Sequence, residues 1–463
     1  MELQRELAAL GDVHARWWAI AGVAAALERL PARSEHLTHD AEPVSDTFIG
    51  HRTTVADDPI RDAIARAHAA RAAIRELDGE LPAQPLARTV RRGRDGATLA
   101  PCDLDVAAFA LGDRVLVARL AANVADEAPL ARALTSLVER PDAPCDRGVP
   151  ATCVSIGDET LATAQHGHRR AWSAAGGPWL GLSRAGELAT ISTCHLVLDG
   201  YGHAGLAARI AEHQARFALH APSALPRRLP PLAPVAGAIP LGIAWRELPA
   251  PAPRALPLAY ALGRVLHRRA GDPAARFSPT FQLPIAPGEL ADPMRRRRRV
   301  VFATLSVRFA EGAPEPYDAF AARARATLAA EALGRGPIAR LLAATRAVPA
   351  PPAWKRASIT PQRPRVLDGL AELIGGRACL SRISIEAPVP VSCAVSVPAR
   401  LACPADPRGS SVVTIVDDGS RAAITASGVG ETGSTAAAGA LLDELLASVE
   451  PAVVSAATPT SRS

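Results

Sequence analysis

The feature that most narrows the folds open to this chain is a pattern it carries twice. ELATISTCHLVLDGYGHAGLAARI occupies 187–210 and SRAAITASGVGETGSTAAAGALLD occupies 420–443, and the two align without a gap. Each reads as an apolar strand, a glycine-containing loop and an Ala/Leu helix. The alignment sets His195 opposite Gly428, Asp199 opposite Thr432 and Gly200 opposite Gly433. A chain with such a repeat folds as two copies of one unit.

Further matches occur in the same order. VPATCVSIG (149–157) parallels GRACLSRIS (376–384), pairing Ser155 with Ser381, and DAIARAHA (62–69) parallels DAFAARAR (318–325). Between the halves lies PSALPRRLPPLAPVAGAIP (222–240), a proline-rich stretch with the composition of a linker. The expected lobes are therefore 1–223 and 224–463. Each half reads as helix, strand, helix, strand, hairpin, strand, helix. In the second half, VVTIVDD (412–418) and RAAITAS (421–427) flank a Gly-Ser turn, which predicts a hairpin. The expected class is α/β in two layers: a mixed, mainly antiparallel sheet with helices packed on it in each lobe.

The 463 residues suit two cores of this kind. Aromatic residues are only 4%, so those cores must be built mainly from Ala, Leu, Val and Ile. The net charge of +6 is mild; it favours a phosphate-bearing small molecule and gives no footprint for nucleic acid. Seven cysteines, an odd number with no CxxC spacing, argue against a disulfide framework or a structural zinc and fit a reducing cytoplasm. The apolar run WWAIAGVAAAL (17–27) is too short to span a bilayer and reads as a buried helix.

Chemistry concentrates in HLVLDG (195–200), an HxxxDG motif where a strand opens onto a loop before a helix. Ligand sites commonly lie at such strand ends. An alcohol, amine or thiol is a poor nucleophile while it keeps its proton, and an imidazole, with a pKa of about 6.5, can remove it as attack begins. His195 is the expected general base, and no covalent enzyme intermediate is required. Asp199, its carboxylate turned back toward an arginine, is expected to anchor the loop. Gly200 permits a backbone approach that a Cβ would block. The competing reading of His195 is a satisfied core histidine, and His203 is a second candidate base.

HLVLDG resembles the signature of the CoA-dependent acyltransferase superfamily, which includes chloramphenicol acetyltransferase, dihydrolipoamide acyltransferase catalytic domains, condensation domains of peptide synthetases and wax ester synthases. ISTCHLVLDGYGHAGLAARI is most similar to the dihydrolipoamide version, and GGRACLSRIS (375–384) resembles that family's second signature. The resemblance implies two tandem chloramphenicol acetyltransferase-like lobes forming a pseudo-dimer, with a channel between them. It implies a thioester of CoA or of a phosphopantetheine carrier as co-substrate, no permanent cofactor and no metal. It also implies that Ser381 donates a hydrogen bond to the tetrahedral oxyanion, against a plain reading as a buried strand serine. One site would then form from His195 and Ser381, in a monomer, with Ser155 left in an incomplete second site. This chain departs from the family pattern at Cys194 and Arg382, and it lacks a DFGWG element and a lipoyl module, since Lys355 lies in a proline-rich loop.

The run Arg295 to Arg299 reads as a solvated loop in preference to a phosphate clamp, HGHRRAW (166–172) as a surface loop without a third metal ligand, and VVSAATPTSRS as a frayed tail. A non-catalytic scaffold built on the same fold is the rival to an enzyme, drawing on the decayed second motif. The acyl group and the acceptor are not legible.

Overall fold

The computed structural model describes residues 36–37, 46–52, 58–80, 86–93, 96–111, 114–139, 150–158, 176–177, 179–185, 188–194, 200–223, 242–249, 252–285, 301–336, 378–384, 393–397, 411–417, 420–428 and 433–449. The segment 17–27, the run 295–299, the stretch 166–172, Lys355, most of the linker and the tail lie outside these residues.

In chain order the first half contributes β1 (His36–Leu37), β2 (Asp46–Arg52), α1 (Pro59–Glu80), β3 (Arg88–Gly93), β4 (Gly96–Pro101), β5 (Val106–Leu111), β6 (Arg114–Arg119), α2 (Ala128–Glu139), β7 (Thr152–Asp158), β8 (Gly176–Gly177), β9 (Leu180–Ala185), β10 (Leu188–Cys194) and α3 (Gly200–Ala218). The second half contributes β11 (Gly242–Leu248), α4 (Ala255–Ala270), β12 (Phe281–Ile285), β13 (Val301–Leu305), β14 (Phe309–Ala310), β15 (Ala313–Pro314), α5 (Tyr317–Ala332), β16 (Ala378–Ser384), β17 (Cys393–Val397), β18 (Ser411–Asp417), β19 (Ala422–Gly428) and α6 (Thr435–Ser448).

Two large sheets result. The first runs β17-β2-β10-β9-β7-β5-β6 and the second β11-β19-β18-β16-β12-β13. Leaving β17 aside, the two orders match strand for strand, and so do the pairings. In each sheet two parallel neighbours (β5–β7–β9, β12–β16–β18) are flanked by antiparallel ones. Helices fall at equivalent places: α1 and α4 after the first strand, α2 and α5 after the first hairpin, α3 and α6 after the last strand. The two-lobed α/β architecture with mixed, mainly antiparallel sheets is thus observed.

Two details differ from the sequence reading. The match of 62–69 with 318–325 joins α1 to α5, which are not equivalent; Ala-rich helices align with one another because small apolar residues repeat cheaply. The pairing of Ser155 with Ser381 is two residues out of step. Cys153 lies opposite Gly181, which the gapless repeat equates with Thr414, and Thr414 lies opposite Ser381. Ser381 therefore corresponds to Cys153. A shift of two keeps a side chain on the same face of a strand, so the error is invisible to alternation. The register of β7 breaks after Val154, where Gly157 takes φ 89°, a conformation natural to glycine.

Alternation builds the cores. In the second sheet Leu380, Val413, Ile415, Ile424 and Ala426 point to the helices, where Leu258, Leu262, Val265, Leu441 and Leu442 meet them. Burying each of the larger side chains contributes about 1.5–3 kcal/mol. α4 stops at Gly271, whose φ of 72° forms a left-handed C-cap. The first core is similar, with Ile64, Ile74, Phe109, Val154, Trp179, Leu182 and Ile191, and it also takes in Val416 of β18. The second sheet therefore packs one face on its own helices and part of the other on the first lobe. β17, from the second half, pairs with β2 of the first sheet and also runs close to β11, β18 and β19.

Candidate functional site

The HxxxDG motif straddles a strand-to-helix junction. β10 alternates strictly: Ala189, Ile191 and Thr193 face the helices, so Thr190 and Ser192 take the opposite face. The strand ends at Cys194, beside Asp46 of β2, and α3 begins at Gly200. His195 and Asp199 lie between these ends, outside the described residues. α3 packs antiparallel on α1, and it also comes within 8 Å, Cα to Cα, of β16 in the other lobe.

β16 carries Ser381, which is half-buried and lies level with Thr414 of β18, itself level with Thr425 of β19. Registered partners project to the same side of a sheet, so the three hydroxyls form a row across three strands. Val416, two residues beyond Thr414 on that side, is the residue embedded in the first lobe's core. The row therefore lies on the face turned toward the first lobe. Thr414 is 1% exposed, and its hydroxyl has no hydrogen-bond partner among the described residues. Sequence reasoning did not single it out, because a threonine in a β-branched strand carries no motif.

Other candidates receive structural roles. His203 is fully buried on α3, with Nδ1 2.8 Å from the Thr193 hydroxyl, and it staples the helix to β10. Ser155 is buried; its carbonyl accepts from Arg66 at 2.8 Å and its hydroxyl accepts from Ser183 at 3.2 Å. Arg382, where the family pattern has Asn, pairs with Asp417 at 2.7 Å. Cys379 stands two residues before Ser381, and burial of its sulfur pushes the thiol up to about 12. A thiol that holds its proton this strongly is no nucleophile at neutral pH. Among the described residues no three His, Cys, Asp or Glu side chains group as metal ligands, and no helix is long and apolar enough to cross a membrane.

A buried polar network holds α1. Arg66 pairs with Asp62 at 2.9 Å, and Gln214 of α3 donates to the same carboxylate at 3.2 Å. Arg71 donates to His68 Nδ1 at 2.9 Å, which leaves the His68 proton on Nε2, 2.6 Å from Glu127. These bonds fix α1, and through it α3, whose first residue is Gly200.

Comparison with solved structures finds low-identity similarities. The starter condensation domain of rhizomide synthetase RzmA aligns over 90% of this chain and 92% of its own, at 12% identity and a TM-score of 0.39. The first condensation domain of the CDA synthetase aligns over 96% and 97%, at 13% identity and a TM-score of 0.42. F. sporotrichioides TRI101, complexed with coenzyme A and T-2, aligns over 89% and 96%, at 12% identity and a TM-score of 0.43. No family model matches the sequence. No curated protein matches it either.

Proposed function

We propose that the protein is an acyltransferase that moves an acyl group from a thioester of CoA, or of a phosphopantetheine carrier, to a hydroxyl or amine. The observation that carries this reading is the placement of HLVLDG: it follows the last residue of β10, its Gly200 opens α3, and α3 lies against the strand of Ser381 in the other lobe. His195 takes the acceptor's proton as the acceptor attacks the thioester carbonyl. Ser381 donates to the oxygen as it becomes an oxyanion, an interaction worth about 3–4 kcal/mol of barrier. The carbonyl re-forms, the carbon–sulfur bond breaks, and the imidazolium returns its proton to the departing thiolate. Asp199 anchors the loop and Gly200 lets it turn tightly into the helix. The lobes divide at 223/224, the chain works as a monomer with an internal pseudo-dimer, and a reducing cytoplasm suits an odd number of cysteines without CxxC spacing. Free CoA thioesters and carrier-bound thioesters are both compatible with this site.

The alternative is a non-catalytic scaffold on the same fold, favoured by Gly428 where the second repeat would need a histidine. A thiol-release assay with a panel of acyl-CoAs separates the two. The wild type is expected to release thiol and His195→Ala to lose the activity; equal release by both would remove His195 as the base.

A further inference from the structure

The second sheet has an aliphatic face toward its helices and a mixed face opposite, where Val412 and Val416 share a strand with Thr414. Toward its helices every residue named above is aliphatic. On the other side, β12, β16, β18 and β19 present Gln282, Ser381, Thr414, Thr425 and Ser427, and all but Ser381 are more than nine-tenths buried. Burying a hydroxyl without a partner is unfavourable, because the group gives up its hydrogen bonds to water and gains none in return. Thr414 carries that cost: it is 1% exposed with an unpaired hydroxyl, in a register that sets it beside Ser381. A valine of the same shape would fill the position without it.

We infer that Thr414 is a specificity residue, and that the transferred acyl group carries a hydrogen-bonding oxygen or nitrogen close to its carbonyl, such as a hydroxyl or an amide, and is not a plain hydrocarbon chain. The inference rests on the acyl-transfer reading, with Ser381 at the thioester carbonyl. Neighbouring strands lie about 4.8 Å apart, so a group held by Ser381 has its next two or three atoms within reach of Thr414. A hydroxyl on the third carbon of the acyl chain would meet the threonine hydroxyl there. A methylene would leave it unpaired, and sites built to bond a polar group reject analogues that lack it.

Paired probes test this: 3-hydroxybutyryl-CoA against butyryl-CoA, binding measured by calorimetry to full-length His195→Ala, which removes turnover. The hydroxylated donor is expected to bind at least fivefold more tightly. Adding Thr414→Val should erase the preference, while Thr414→Ser should keep most of it. Thermal melting of ligand-free Thr414→Val should match or exceed that of its parent, because no internal bond is lost. Equal affinities of the two donors for the parent, or a preference that survives Thr414→Val, would overturn the inference and leave acyl transfer standing. A marked drop in melting temperature would also overturn it, by showing that the hydroxyl has an internal structural role. If neither acyl-CoA binds, the donor assignment falls and the inference falls with it.

Discussion

The two lobes share a connectivity and differ in how they hold the junction that carries chemistry. In the first lobe the passage from the last strand to the helix is HLVLDG, and the helix behind it is braced by buried charges on α1. In the second lobe the same passage is GVGETGST, and α6 is started by Ser434, whose hydroxyl accepts from the Ala437 amide at 3.1 Å. α4, which occupies the place of α1, buries Leu258, Leu262, Val265 and Leu266 where α1 buries Asp62, Arg66, His68 and Arg71. The comparison separates scaffold from site. In the second lobe the helix at this place packs mainly through aliphatic side chains. In the first lobe it carries polar groups that fix the position of the motif-bearing helix at a price in desolvation.

Substitutions can break or sharpen this contrast, and the largest effect belongs to the junction. His195→Ala should lower thiol release by about 10²–10⁴-fold, the range of a lost general base, while its melting temperature stays near that of the wild type. Next comes the buried polar network on α1. Arg66→Ala leaves Asp62 buried without its partner and should reduce stability by about 3–5 kcal/mol in denaturant titration; a loss under 1 kcal/mol would mean the network is dispensable. Ser381→Ala should cost about 10²–10³-fold in kcat, whereas Ser155→Ala, in the first sheet, should leave kcat unchanged. In the second lobe, Ser434→Ala removes the α6 cap and should cost about 1 kcal/mol, with little effect on turnover.

The smallest effect is electrostatic. Burial alone would raise the Glu76 carboxyl, but hydrogen bonds and charge from His213 and Arg209 outweigh it and hold it below the usual carboxylate value. A group depressed on folding stabilises the protein above its unfolded pKa and loses that contribution as pH falls through the folded value. Glu76→Gln should therefore flatten the acid side of a melting-temperature profile slightly, by about 1 °C at most for so exposed a pair. A large change would mean the α1–α3 contact depends on this cluster.

How much was legible follows from the range of each interaction. The strand–helix pairs around 191 and 424 were readable because alternation and glycine punctuation are local signals, and they aligned in the correct register. The equivalence of Ser155 and Ser381 failed by two residues because alternation cannot distinguish registers of equal parity. The pairing of β17 with β2 was not readable, since the two strands are more than 300 residues apart and neither marks its partner. Thr414 was hidden for a different reason: what distinguishes it is an empty hydrogen-bonding position, a property of its neighbours and not of its own residue type.

The loan of β17 to the first sheet has a consequence for synthesis. When the ribosome has made the first 223 residues, β2 has, among the described strands, β10 beside it on one edge, and its other edge waits for residues 393–397. A bare edge invites another chain to pair with it. The first lobe expressed on its own should therefore self-associate, and supplying the later strand in trans, as a peptide or as the second lobe, should restore dispersed material.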